Sequence, residues 1–508
     1  MIRPRDLHVV VTVLAAAAII GIGAVIAIRP GLPSTGHPPK ANATGSALRV
    51  GSPRPEGSSG PTPGPSENID TAEGIDGRLT TALPNRIELY TGAVSILPGE
   101  PLALHVSTRA PRYGFVVERL DATLGGGGQT VARRSDRAGH DYSSRATFDS
   151  LTRVARANWP VTDTLATRGW TPGVYIVTAT DSKGTVGKAI FVVRTPVLRH
   201  DRPAFVWSAM TYEAYNLWGG ANLYDYAGPR AVRVSFERPY TGDDGLGYWN
   251  RDDDRILAWL QRRDIGLQYT TDYDLSVAPP AVAPRLLIFE RHTEYVAAGL
   301  YDFVEQHVNV VGDMNVLNFG SNSFYWQVRL APPKTRGVPR DIVCYKSARD
   351  DPHAAADPAL ATTMWRAAPV NRPEGRILGA QYVGVLGSGF TRYDLTVTSG
   401  MPKELLAGTG WRTGTVIHGL LLGEGDAAYA GSGGIAIMRG DAVDTKGAPL
   451  PTTVTIRTSP AGARVFDAGT FAWADGFAPP AIALGVSAAS FDRFNRNLLT
   501  WLGFPPKG

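Results

Sequence analysis

After Pro196, three short apolar runs each end in a loop crowded with hydrogen-bonding side chains. No other feature of this 508-residue chain limits its fold as much. The runs are Ala204-Phe-Val-Trp-Ser208, Leu286-Leu-Ile-Phe289 and Asn315-Val-Leu-Asn-Phe319. Short apolar stretches bounded by turn formers read as strands covered on both faces, the pattern of a parallel sheet. Helical patterns lie between and after them. Asp252-Asp-Asp254 leads into Arg255-Ile-Leu-Ala-Trp-Leu-Gln-Arg-Arg263, acidic at its start and basic at its end, as the helix dipole favours. A second helix is expected near residues 298–307, and a third closes the chain at 492–502, after a strand at 464–467. Strand–helix alternation implies right-handed crossovers and a mostly parallel sheet across residues 197–508. Residues 331–460 show no clean period and read as an insertion or extra strands.

Residues 85–196 have a different grammar. Strand-length runs at 86–90, 102–106, 114–119, 173–179 and 188–194 are separated by turn signals such as Pro98-Gly99-Glu100-Pro101 and Asp181-Ser-Lys-Gly184. Such spacing, with few helical patterns, predicts a small immunoglobulin-like β-sandwich. Residues 30–84 are rich in Pro, Gly, Ser and Thr and read as a disordered linker. Ahead of them, residues 9–28 are apolar throughout, flanked by Arg3 and Arg5 on one side and Arg29 on the other. As a helix this run would measure about 30 Å, enough to cross a bilayer, so residues 1–29 read as an uncleaved single-pass anchor. The arginine bias favours a cytoplasmic N-terminus, which places the bulk of the chain outside the cytoplasm with the lipid bilayer as its partner.

The whole chain therefore reads as a transmembrane helix, a β-sandwich and an α/β domain. The net charge of +5 is small for this length and gives no sign of nucleic-acid binding. Cys344 is the single cysteine, so there is neither an internal disulfide nor a Cys-x-x-Cys metal site. Its strand-like surroundings suit a small apolar filler. The sequence contains no Gly-x-Ser-x-Gly elbow, no His-Glu-x-x-His pair and no Gly-x-Gly-x-x-Gly loop.

Chemistry is therefore sought in the loops that follow the three strands, because open α/β sheets bind ligands at strand carboxyl ends. The first loop holds Tyr212-Glu-Ala-Tyr215-Asn-Leu-Trp218-Gly-Gly220-Ala-Asn-Leu-Tyr224, the second Glu290-Arg-His292-Thr-Glu294-Tyr295, and the third Gly320-Ser-Asn322-Ser-Phe-Tyr-Trp326. Structural roles compete for the same residues. Tyr215, Trp218 and Tyr224 could be packing aromatics, and Glu294 an acid in the first turn of a helix. His292 could be an ordinary loop histidine, and Asn322 a helix cap.

Taken in order, these motifs resemble the large-subunit family of N,N-dimethylformamidase, and Leu97-Pro-Gly-Glu-Pro101 and Gly173-Val-Tyr175 extend the likeness over roughly residues 85–505. The resemblance implies a sandwich followed by a glutamine-amidotransferase-like α/β domain. It also implies a mononuclear iron held by Tyr215, Tyr224 and Glu294, with His292, Glu294 and Asn322 as the catalytic set. Phenolate and carboxylate are hard donors suited to trivalent iron, and a Lewis acid of that strength activates water and polarises an amide carbonyl. The expected function is a membrane-anchored, extracytoplasmic, metal-dependent hydrolase of an amide or related C–N bond, with a small-molecule or envelope substrate. The competing expectation is a non-catalytic, surface-displayed binding or scaffold module for envelope polymer or a partner protein, its groove lined by Trp218, Trp249 and Trp326.

Overall fold

The computed structural model describes residues 76–78 and 86–507, apart from 125–126, 226–227, 248–250, 333–336 and 478–482. The chain divides into two compact units, Met1–Pro61 and Thr62–Gly508. The first lies wholly outside the described residues, and all the described elements belong to the second.

Besides a short sheet of Asp76–Arg78, Thr147–Asp149 and Ala155–Arg156, two small sheets form the N-terminal part. One pairs Glu88–Thr91, Leu102–Ser107 and Asp163–Leu165; the other runs Ser95–Ile96, Val186–Val193, Gly173–Asp181, Arg112–Leu120, Gly128–Ala138. They share an apolar cluster that includes Leu89, Leu104 and Leu165 from the first sheet and Phe115, Tyr175 and Phe191 from the second. The alternating burial of Arg112–Leu120 is what a strand with one covered face requires. Residues of the same segment, Val174, Ile190 and Val192, join Phe205 and Trp207 in the largest core cluster. The sandwich strands and the α/β layer are thus packed within one unit.

The principal sheet has nine strands, in the order Gln268–Thr271, Pro203–Trp207, Leu286–Phe289, Asn315–Asn318, Arg464–Asp467, Pro449–Thr458, Gly434–Val443, Tyr393–Val397, Val416–Leu421. The first five pair in parallel and the last four antiparallel. The helices Arg251–Gln261, Ala298–Glu305 and Ala488–Trp501 fall near their expected positions. The three strands inferred from apolar runs are buried at nearly every residue, because core clusters cover both of their faces.

The expected fold class needs correction. The described residues are mixed α/β with six sheets, not an immunoglobulin-like sandwich followed by a mostly parallel glutamine-amidotransferase-like layer. Half of the large sheet is antiparallel because residues 393–458, unreadable as sequence, return through hairpins that can pair only that way. Among the described residues no helix is long and apolar enough to cross a membrane. The apolar run at 9–28 and most of the linker at 30–84 lie outside the described residues.

Candidate functional site

The first loop is shaped by the helix Ala209–Tyr215, whose last residue is Tyr215. Gly219 and Gly220, at φ 82° and 86°, turn the chain back in a conformation that side-chain-bearing residues resist. Asn222 Nδ2 donates to the Tyr215 carbonyl (2.8 Å) and Asn222 Oδ1 accepts from the Tyr224 N–H (2.9 Å), so one side chain sets the spacing of the two tyrosines. Arg238 staples the same loop from behind. Its guanidinium donates to the carbonyls of Asn216, Trp218 and Ala221 and, at 2.6 Å, to Glu213.

The second loop is tied to the first by Ser208, whose N–H donates to Glu290 (2.7 Å) and whose hydroxyl meets that of Thr293 (2.7 Å). The Glu294 carbonyl accepts the N–H groups of Tyr325 and Trp326, which brings in the third loop. Gly320 must pass so close to the second loop that a Cβ there would lie 1.8 Å from the Arg291 carbonyl oxygen. Gly320→Ala is therefore expected to cost more than about 3 kcal/mol, read by chemical denaturation of the purified chain.

These constraints bring four side chains together. The Tyr215 hydroxyl donates to Glu294 Oε2 (2.7 Å), and the Tyr224 hydroxyl lies 2.8 Å from both Glu294 oxygens and 2.7 Å from the Tyr215 hydroxyl. His292 Nε2 sits 3.2 Å from Glu294 Oε2 and 3.3 Å from the Tyr215 hydroxyl, while its Nδ1 faces the Ser321 carbonyl. The tyrosine rings are stacked at 4.5 Å, with Tyr295 edge-on to both. Glu294 and His292 are buried; Tyr215 and Tyr224 are half-buried. Asn322 stands one step out. It is buried, held at φ 50°, and its side chain lies beside Glu424 rather than among the tyrosines.

The electrostatics follow from burial and proximity. Burial, with Glu294 and Tyr215 adding to it, pushes the Tyr224 phenol well above its ordinary range. Burial alone would raise Glu294, but the hydrogen bond and charge of His292, with Lys346, bring it below the usual carboxylate value. His292 is pulled down by burial yet held above its ordinary value by Glu294 and Glu424.

Two members of the cluster were not legible in the sequence. Lys346 follows the strand Asp341–Val343, and its Nζ lies 3.5 Å from the centre of the Tyr224 ring. Burial lowers its pKa to about 8 against the pull of Glu294. Glu424, at the start of Glu424–Ala427, is pushed up to about 7 by burial, with His292 opposing and Glu294 adding. The one local signal for Lys346 is a lysine directly after a buried strand, and for Glu424 an acid between two glycines.

The structure also decides among the competing roles. Glu294 precedes a strand, Tyr295–Ala297, not a helical turn, and no helix starts at Asn322. Trp218 is buried against Trp159 at 5.9 Å, so it cannot line a groove, and Trp249 lies outside the described residues. Cys344 is buried, its thiol raised to about 11 by desolvation.

Among the described residues no group of three or more His, Cys, Asp or Glu could hold a metal ion. The cluster here has a different composition, two phenols and one carboxylate with a histidine alongside. It fits a trivalent cation by charge. Two phenolates and a carboxylate sum to three negative charges, and the phenol protons now directed at Glu294 and Tyr215 are those a cation would displace.

The family described as N,N-dimethylformamidase beta subunit-like, C-terminal, matches residues 115–484, well over half of the chain. The protein belongs to that family. No curated protein matches it. Among solved structures, a variant superoxide reductase (neelaredoxin) from Ignicoccus hospitalis is 10% identical over 22% of this chain and 80% of its own, with a TM-score of 0.14. An alkylpurine DNA glycosylase from Pseudomonas fluorescens is 14% identical over 22% of this chain and 32% of its own, with a TM-score of 0.15. A cycloisomaltooligosaccharide glucanotransferase from Paenibacillus sp. is 11% identical over 51% and 33%, also at 0.15. Likeness this slight carries no argument about fold or function.

Proposed function

We propose that the chain is a metal-dependent hydrolase of an amide or related C–N bond, with iron held by Tyr215, Tyr224 and Glu294. The observation that supports this reading is the meeting of those three side chains' oxygens within 2.8 Å of one another. When bound, trivalent iron supplies a Lewis acid that polarises an amide carbonyl and acidifies water. Lys346, over the Tyr224 ring, balances the negative charge that the ligands gather. His292 carries a proton on Nε2 from the attacking water to the leaving nitrogen, and its Nδ1, donating to the Ser321 carbonyl, fixes the tautomer. Glu424, pushed up to about 7 by burial, adds its charge to that of Glu294 in holding the His292 ring protonated.

The test is release of amine or ammonia from small amides, substituted and unsubstituted on nitrogen, by the iron-loaded full chain. Hydrolysis is expected, and His292→Gln should lower kcat about a hundredfold or more while leaving iron content unchanged. An iron-loaded chain that hydrolyses none of them would favour the non-catalytic binding module instead.

A further inference from the structure

Behind the site, two carboxyl groups take no part in the proposed hydrolysis. Asp426, on Glu424–Ala427, and Asp467, at the end of the central strand Arg464–Asp467, are both buried, and each carboxyl acts on the other. Asp426 accepts the Asn322 N–H with both oxygens, at 2.9 and 3.2 Å. Asp467 Oδ1 accepts from Asn318 Nδ2 (2.7 Å), and Asn318 Oδ1 in turn accepts from the Ser323 hydroxyl (3.2 Å). The pair therefore grips the third loop at Asn322 directly and at Ser323 through Asn318.

That loop needs a grip. Asn322 at φ 50° and Phe324 at φ 60° both occupy the left-handed region, which side-chain-bearing residues keep only when their surroundings enforce it. The residue before Asn322 is Ser321, whose carbonyl faces His292 Nδ1 at 3.2 Å. If the turn relaxes, that carbonyl moves and the histidine loses the contact that sets its tautomer.

We infer that Asp426 and Asp467 share a single proton, and that this pair is the positioning element that holds residues 321–324 in the form that orients His292. Two adjacent buried carboxylates cannot both stay ionised. Asp467 Oδ2 is buried with no hydrogen-bond partner among the described residues, and a proton shared with Asp426 supplies one. The surroundings reinforce this. Glu374 and Glu424 face Asp426 and oppose its ionisation, and Asp426 and Glu374 do the same to Asp467. Tyr382 lies near the pair, and Arg366, whose charge favours ionised Asp426, is already paired with Glu374. Burial is the largest effect on both acids. It lifts Asp426 to about 7 and Asp467 well above the carboxylate range. For acids raised in this way, the stabilisation is complete below the unfolded value and is lost as pH rises through the folded value.

The inference concerns the same site as the proposed hydrolase, but its test needs neither iron nor substrate, so the two can fail separately. The full chain would be labelled with ¹⁵N-histidine, and His292 assigned with His292→Gln. In the wild type up to neutrality, His292 should show a single state with a hydrogen-bonded proton on Nδ1, joined at acid pH by a second proton on Nε2. Asp426→Ala should lose that single state, and Asp426→Asn, which keeps an acceptor and gains a donor, should restore it. Asp467→Asn, whose amide supplies permanently the hydrogen that the shared proton supplies, should keep the single state above pH 8, where the wild type loses it. The same substitution should flatten the fall of Tm with pH by about 1–2 °C per unit between the ordinary carboxylate value and the raised one. The inference is overturned if Asp426→Ala leaves the His292 signal as in the wild type. It is equally overturned if Asp467→Asn titrates as the wild type does, a comparison that survives even if the alanine variant fails to fold.

Discussion

Glu294→Gln is expected to leave the protein folded and to lower its affinity for iron(III) by at least about a hundredfold. Three effects act together. The substitution removes one of the three negative charges that balance the cation, and it replaces a hard carboxylate oxygen with a weakly donating amide. It also turns one of the two oxygens toward which the Tyr215 and Tyr224 hydroxyls point into a donor, so the phenols keep a single acceptor between them. The fold should tolerate the change, because glutamine is nearly isosteric. The Glu294 carbonyl that receives Tyr325 and Trp326 belongs to the backbone and is unaffected. Circular dichroism and thermal melting should match the wild type while iron content after reconstitution collapses. Iron bound as tightly as in the wild type would show that the ligand set has been misassigned.

Arg238→Met is the second large effect, and it acts on stability. Arg238 and Glu213 are an ion pair with side chains 0% and 1% exposed, so removing the guanidinium strands a carboxyl in the core. Burial raises Glu213 to about 7 even with Arg238 opposing it, so without its partner the acid must protonate or the structure must open. Breaking one half of such a pair costs about 3–5 kcal/mol. Three backbone carbonyls, of Asn216, Trp218 and Ala221, lose their donor at the same time. Because these carbonyls belong to the turn between Tyr215 and Tyr224, the variant should bind iron more weakly even below its melting temperature. The paired substitution Glu213→Gln with Arg238→Met should recover part of the stability but not the iron affinity, which separates the buried charge from the staple.

The difference between what the sequence showed and what it hid follows the physics of each segment. Tyr215, His292, Glu294 and Asn322 could be located because each lies within a few residues of the end of a strand buried on both faces. Such strands announce themselves as unbroken apolar runs, and topology then gathers their carboxyl ends at one edge. The antiparallel half of the sheet sends no such signal. Gly434–Val443 and Pro449–Thr458 mix buried and exposed positions, and a register shift between Ala436 and Met438 breaks the period of two that would mark a strand with one covered face. Lys346 arrives from the end of a strand in the four-stranded sheet, Glu424 and Asp426 from a two-stranded sheet, and Asp467 from the strand where the large sheet turns antiparallel. Their arrival at or behind the site is tertiary, and no local spacing encodes it. The expected parallel sheet failed for the same reason, since the alternation that implied it stops at residue 331.

Reconstitution with iron(III) followed by metal analysis and visible absorption tests the central claim most directly. If Tyr215, Tyr224 and Glu294 close around one cation, the full chain should hold about one equivalent of iron and show a phenolate-to-iron charge-transfer band. That band should weaken in Tyr215→Phe and in Tyr224→Phe and vanish in the double variant. Less than about a tenth of an equivalent of iron after reconstitution, or a band unchanged when both hydroxyls are gone, would contradict it.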